Sequence, residues 1–255
     1  MMRVVKVGGR AQLDPALPVA LAAAHAGAPG SVIVVHGGGD EVSLLQRLHG
    51  VVAEFNGGRR VTSATDLAIV RMALSGSANK RLVAALNDAG VPAVGLSGED
   101  GALLRARPVD RARLGYVGAP SGVNVSLLRT LLRAGYLPVV SPVARSDDPS
   151  VGPTLNVNGD DAAAAIAVAI AAAELLLVSD VAGVLDNGVA LSELDAASAQ
   201  RLIEDGTATG GMGAKLEAAL VALDGGVSRV RISDIAAIEA ADRGTVLTRA
   251  GRLCA

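Results

Sequence analysis

Short runs of β-branched and other apolar residues alternate along the chain with longer stretches rich in Ala and Leu. The short runs predict strands at Arg3–Val7, Ser31–Val35, Ala93–Leu96, Leu137–Ser141, Leu175–Ser179 and Arg229–Ile232. The longer stretches predict helices at Pro15–Ala26, Asp40–His49, Thr65–Ala89, Val125–Ala134, Asp160–Ala172, Ala196–Glu204 and Met212–Leu223, the third broken near Gly76. Strands that are apolar on nearly every residue belong to a sheet covered on both faces. Strand and helix in alternation imply right-handed βαβ units and a mainly parallel sheet, so the fold class is α/β. In such sheets ligand loops follow the strands. Glycines cluster there: Gly8-Gly9, Gly37-Gly38-Gly39, Gly95 with Gly98, and Gly183. Val51–Thr62 and Leu103–Val117 read as hairpins or irregular insertions, and Arg145–Pro153 as a loop. A lobe boundary is expected after the helix at 160–172, which divides the chain into residues 1–172 and 173–255.

Composition narrows the chemistry. Of 255 residues, 51% are apolar, ample for a large core. That core must come from Ala, Val, Leu and Ile, since the aromatics are Phe55, Tyr116 and Tyr136 alone. So few rings argue against recognition of nucleic-acid bases by stacking. A net charge of −2 offers no field for nucleic acid or an anionic membrane. Cys254 stands alone, which excludes an intrachain disulfide and a cysteine metal cluster. His25, His36 and His49 are dispersed and form no zinc pattern. Arg3 and Lys6 interrupt the start, so no signal peptide is expected, and the apolar stretch Ala162–Ala173 is too short to span a bilayer. A cytoplasmic protein is expected, without nucleic-acid or membrane partners.

Lysine usage singles out candidate residues. The chain has three lysines, Lys6, Lys80 and Lys215, beside twenty arginines. Lys6 precedes Gly8-Gly9 at a strand end. Lys215 follows Gly210-Gly211-Met212-Gly213-Ala214 and opens a helical pattern. An ammonium beside a glycine turn suits a phosphate, because it is a compact charge next to close-approaching backbone N–H groups. His36-Gly37-Gly38-Gly39 carries the same logic at a strand-to-helix turn. Neither turn matches G-x-G-x-x-G, and no P-loop pattern occurs. Asn156 and Asn158 alternate on an extended segment and share one side. Asp160 follows and is either a helix N-cap or a functional carboxylate. Arg60 offers a fork suited to a carboxylate, whereas Arg59 reads as a solvated hairpin charge. Ser179-Asp180 after a buried strand caps a loop or holds a nucleotide.

Ten segments in order resemble the amino acid kinase family, within it the kinases of N-acetylated glutamate. They are Lys6-Val7-Gly8-Gly9, Val35-His36-Gly37-Gly38-Gly39, Phe55 to Thr62, Ala78-Asn79-Lys80-Arg81-Leu82-Val83, Val94-Gly95-Leu96-Ser97-Gly98, Leu114 to Gly118, Asn156-Val157-Asn158-Gly159-Asp160, Ser179 to Val184, Gly210 to Lys215, and Gly244-Thr245. The resemblance implies a three-layer αβα sandwich whose N-terminal lobe binds an acylated amino acid and whose C-terminal lobe binds ATP with Mg²⁺. It implies phosphorylation of the side-chain carboxylate of N-acetyl-L-glutamate, a step of arginine biosynthesis. By motif position, Lys6 and Lys215 would stabilise the transferring phosphoryl group, Asp160 would orient them, and Gly9, Gly38 and Gly39 would donate backbone N–H groups. Arg60 and Asn156, with Gly38 and Gly39, would hold the substrate. Gly8, Ser179, Asp180, Gly183, Gly211 and Met212 would join the two lysines around the nucleotide, with no protein-bound metal. A homodimer through the Thr65–Ala89 region is also implied. Only Met1–Val5 precede Lys6, where arginine-inhibited relatives carry a helix, so insensitivity to arginine is expected.

The chemistry agrees independently. A carboxylate nucleophile has a reference pKa near ~4.3 and needs no general base at neutral pH. The task is to bring two anions together in line, which ammonium groups and aimed N–H donors accomplish. Two other readings share the sequence. One is a kinase for aminoadipate or glutamate on an acidic carrier protein, met by Arg105, Arg107, Arg111 and Arg113. The other is a non-catalytic amino acid-binding module, which retention of both lysines and Asp160 opposes.

Overall fold

The computed structural model describes residues 1–186 and 188–249; Cys254 lies outside the described residues. Six parallel strands form the centre of an eleven-stranded sheet. In chain order they are β1 (Arg3–Val7), β2 (Val32–His36), β5 (Ala93–Gly98), β8 (Leu137–Ser146), β10 (Glu174–Val178) and β14 (Arg229–Ser233). Their spatial order is β14-β10-β1-β2-β8-β5. The chain leaves β1 to build β2, β8 and β5 on one side and returns to build β10 and β14 on the other. The gap beside β1 is therefore the switch point at which α/β sheets open a ligand crevice.

The remaining strands extend or decorate this centre. β3 (Phe55–Asn56) and β4 (Arg59–Arg60) form a separate hairpin. β6 (Leu104–Pro108), β7 (Val117–Val123) and β9 (Thr154–Val157) join the main sheet beyond β8. The segment expected as a hairpin or irregular insertion at 103–117 contains β6, which pairs antiparallel with β7 as one arm of a hairpin joined to the main sheet, and β8 runs five residues past its predicted end. β11 (Leu185–Asp186) and β12 (Val189–Ala190) form a second hairpin. β13 (Glu193–Asp195) and β15 (Thr245–Thr248) close the other edge.

Strand alternation sorts the core into two layers. Val4, Ile33, Val35, Leu175 and Leu177 face α7 (Gly159–Ala169) and α9 (Gly210–Asp224). Val5, Val7, Val32, Val34, Leu176 and Val178 face α1 (Ala16–Gly27) and α4 (Asn79–Asp88). Each fully buried Leu, Ile or Val contributes on the order of 1.5–3 kcal/mol. α7 is buried through Ala162, Ala163, Ala164 and Ala167, small residues that let it lie close to the strands. The helix predicted at 65–89 does not break at Gly76. α3 (Ala64–Val70) passes into a π-helical stretch, Arg71–Ala78, and then into α4, with right-handed backbone at both junctions. A widened turn of this kind inserts residues without ending the helix.

Candidate active site

The two glycine turns meet at the C-terminal ends of β1 and β2. Gly37 N–H donates to Val7 O (2.9 Å) and Gly8 N–H to Val178 O (3.1 Å), which ties both turns to neighbouring strands. A Cβ on Gly9 would lie 3.3 Å from Gly39 N, so the turns touch. Gly38 has φ 150°, and a Cβ there would come 2.7 Å from Leu74 of the π-helical stretch. A side chain on Gly9 would press on the Gly39 backbone, and the positive φ of Gly38 would strain any L side chain there.

Both sequence-predicted lysines and Asp160 converge beneath these turns. Lys6 shares the face of Val4 on β1 and points at the start of α7, where a Cβ on Gly159 would lie 3.3 Å from its Cε. Lys6 Nζ is 2.8 Å from Asp160 Oδ1, and Lys215 Nζ is 3.8 Å from Asp160 Oδ2. All three are buried. The N-cap of α7 is Asn158, whose side chain accepts from Asp160 N–H (2.7 Å). Asp160 is therefore not the cap, and its carboxylate is available to the lysines. The N-terminal end of α7 also favours a negative charge there. Burial pulls the Lys215 pKa below its ordinary value; repulsion from Lys6 adds to this, and Asp160 and Asp180 resist it.

The neighbouring cavity is lined by Gly37, Gly38, Gly39, Arg60, Asn156 and Asn158, among others. Arg60, at the end of the β3–β4 hairpin, donates from Nη2 to Gly39 O (2.9 Å) and Ser43 Oγ (2.9 Å), and from Nη1 to Gln46 Oε1. Its guanidinium lies over the Phe55 ring, 4.6 Å from the centroid, a cation–π arrangement. Gln46 in turn donates to Asp66 Oδ1 (2.5 Å), and Asp66 closes a capping box with Ser63 at the start of α3. Burial opposes the Asp66 charge, but hydrogen bonds from Ser63 and Gln46 outweigh it and hold the carboxyl below its ordinary pKa. Asn156 Nδ2 donates to Thr62 Oγ1 (3.0 Å). Arg59, expected as a solvated charge, instead pairs with Asp161 of α7 at 2.9 Å and fastens the hairpin to that helix.

The opposite cleft contains Gly8, Gly9, Gly39, Ser179, Asp180 and Lys215. Asp180 is exposed and pairs with Arg10 at 3.2 Å; Arg10 also reaches Asp40 at 3.5 Å. Gly211 and Met212 form the first turn of α9, and Gly211 O accepts from Lys215 Nζ at 3.4 Å. Gly183 is buried, and a Cβ there would meet Thr245 Oγ1 at 2.6 Å. That packing explains the glycine without reference to a ligand. Sequence reasoning missed Gln12, Gln46, Ser43 and Asp66. The Ser63-x-x-Asp66 box was readable as a helix start, but nothing marked Gln12, Ser43 or Gln46.

Residues 1–234 match the sequence model of the amino acid kinase family. A protein of Geobacillus kaustophilus (strain HTA426) named acetylglutamate kinase is 49% identical over 201 residues, 79% of this chain and 77% of its own length. The acetylglutamate kinase of Geobacillus stearothermophilus is 46% identical over 231 residues, 90% of this chain and 88% of its own. A solved protein of Streptococcus mutans UA159 has a TM-score of 0.86 at 30% identity, covering 98% of this chain and 99% of that one. Carbamate kinase from Giardia lamblia bound to AMP-PNP shares the fold, with a TM-score of 0.74 at 15% identity and 98% of each chain covered. The chain, with two of its three lysines gathered on one aspartate at the switch point of a mainly parallel sheet, belongs to the amino acid kinase family.

Proposed function

We propose that this chain transfers the γ-phosphoryl group of ATP to the side-chain carboxylate of N-acetyl-L-glutamate. The products are ADP and N-acetyl-L-glutamyl 5-phosphate, and the step belongs to arginine biosynthesis. One observation carries the mechanism: two buried ammonium groups share Asp160 directly under two touching glycine turns. A carboxylate oxygen attacks Pγ while the bond to the bridging oxygen of ADP breaks. Lys6 and Lys215 offset the charge that builds between the two anions, and the N–H groups of Gly9, Gly38 and Gly39 stabilise the equatorial oxygens. Arg60 and Asn156 hold the acylated amino acid on the N-terminal side. Ser179, Asp180, Gly211 and Met212 border the nucleotide on the C-terminal side. High identity to relatives named acetylglutamate kinase supports this substrate.

Among the described residues no group of three or more His, Cys, Asp or Glu side chains is placed to hold a metal ion. Magnesium would enter with the nucleotide and would supply neutralisation of phosphate charge. Three of the four arginines that could meet an acidic carrier have local partners: Arg105 pairs with Asp147, Arg111 lies over Tyr116, and Arg113 reaches Asp110 at 3.8 Å. Among the described residues no helix is long and apolar enough to cross a membrane. The similarity to biosynthetic enzymes supports a cytoplasmic location as our reading. We also propose a homodimer through the outer face of the α3–π–α4 helix, where Met72 is exposed; light scattering at several concentrations tests it.

Hydroxylamine trapping of the acyl phosphate, coupled to ADP release, tests the reaction. Turnover is expected on free N-acetyl-L-glutamate and far less on glutamate or aminoadipate. ADP release without a trapped hydroxamate, or preference for another acceptor, would contradict the assignment.

A further inference from the structure

A hydrogen-bonded chain runs from the surface of α4 to the Gly37–Gly39 turn, through residues that neither bind substrate nor carry charge in the mechanism. The Gly37 carbonyl accepts from Gln12 Nε2 (2.8 Å) and pairs with His36 Nδ1 (2.7 Å). A carbonyl can only accept, so Nδ1 carries the imidazole proton and Nε2 is left an acceptor. His36 Nε2 meets Asn79 Nδ2 at 3.0 Å. Asn79 Nδ2 also donates to Val139 O (2.9 Å), and Asn79 Oδ1 accepts from Lys80 Nζ (3.2 Å), which fixes the orientation of the amide. Lys80 Nζ donates as well to Gly95 O (3.2 Å). Every donor therefore faces an acceptor from Lys80 to Gly37. Gly95 supplies the floor: a Cβ there would sit 2.1 Å from Asn79 Oδ1 and 3.0 Å from Lys80 Nζ.

His36 and Asn79 are fully buried. Burial drives the His36 pKa down to about 4; the Gly37 bond and Glu41 raise it, and Arg81 and Lys80 lower it. The ring thus stays neutral at working pH, and the alternation of donors and acceptors is preserved. In a trans peptide the C=O and the following N–H point in opposite directions. Two donors on the Gly37 carbonyl therefore turn the Gly38 N–H away from Gln12 and His36.

We propose that His36, oriented by Asn79 and Lys80, is a positioning residue that fixes the Gly37–Gly38 peptide and so aims the Gly38 N–H at the transferring phosphoryl group. This rests on the proposed role of the glycine turn as a donor site. It also gives Lys80 a task, as the residue that sets the Asn79 amide.

His36→Leu removes the donor, whereas His36→Asn keeps an N–H near the position of Nδ1. A misplaced donor is expected to cost roughly 10²-fold in kcat. We expect that loss for His36→Leu, with KM for both substrates within about threefold of wild type, and recovery of at least about tenfold in His36→Asn. Melting temperature is measured on each protein. Wild-type kcat in folded His36→Leu, or equal losses in both variants that follow melting temperature, would overturn the proposal. Imidazole ¹⁵N spectra of the wild-type protein give a readout without substitution. A neutral Nδ1–H tautomer that does not titrate down to about pH 5.5 is expected, and a charged ring or the Nε2–H tautomer would overturn the proposal. Lys215→Ala run alongside separates the two ideas. If that variant keeps full turnover, the underlying mechanism fails whatever His36 does; if it is inactive while His36→Leu is normal, only the positioning role fails.

Discussion

The two ends of the site, proposed to take the acyl amino acid and the nucleotide, are built differently. At the first, Arg60 is buried and fixed by Gly39, Ser43, Gln46 and the Phe55 ring, and Gln46 is itself held by Asp66. At the second, Asp180 is exposed and its partner Arg10 keeps 75% of its side-chain surface in solvent. The first end has its geometry set before any ligand arrives, which is what choosing between similar acids requires. The second need only hold a common nucleotide, and exposed charges can rearrange around it. Between them, Lys6 lies close to Asp160 and Lys215 a full ångström farther, so the cation from the α9 side is the less tightly held.

Substitutions should separate these regions by size and kind of effect. Lys6→Ala and Lys215→Ala should each lower kcat by roughly 10²-fold or more, with smaller changes in either KM. Stopped assays at saturating ATP and acetylglutamate check this, and normal turnover would remove the lysine from the mechanism. Arg60→Lys should raise KM for the amino acid by about tenfold, equivalent to ~1.4 kcal/mol, because one ammonium cannot replace a fork. A raised KM for ATP instead would assign Arg60 to the other end. Lys215 predicts a pH effect with two opposite signs. Its lowered pKa means that the unfolded chain binds more protons at this site, so this group's contribution to stability rises with pH up to its ordinary value of 10.5. The proposed mechanism needs the ammonium, so kcat/KM should fall on the alkaline side with a midpoint below 10.5, and Lys215→Arg should move that limb upward. Arg10→Ala should be mildest: exposed ion pairs contribute little, and KM for ATP should change by less than about threefold. A larger effect on acetylglutamate than on ATP would erase the contrast between the ends.

Much of this was legible in the sequence, for identifiable reasons. The Arg3–Val7 strand emerged with its observed bounds because it is β-branched except at Arg3 and Lys6, and the glycines that follow end it. The strand Val117–Val123 was missed because Pro120 and two glycines argue against a strand. It is tolerated because β9 pairs only with Val117 and Gly118, and the register with β6 shifts near Pro120. Asp160 was read as a cap or a functional carboxylate; Asn158, two residues earlier, takes the cap, and Asp160 pairs with Lys6 and Lys215. Arg59 was misread because its partner, Asp161, lies 102 residues away. The polar supports Gln12, Gln46 and Asn79 contact elements distant in sequence, and no local period announces such contacts.

Asp160→Asn tests the central claim most directly. The substitution keeps size, leaves the Asn158 cap in place and removes the charge that gathers Lys6 and Lys215. Turnover by hydroxamate trapping and melting temperature are measured on the same preparation. A fall in kcat of roughly 10²-fold at nearly constant melting temperature is expected. Wild-type turnover, or a loss of activity that merely follows loss of folded protein, would contradict the claim that Asp160 organises the phosphoryl-transfer centre.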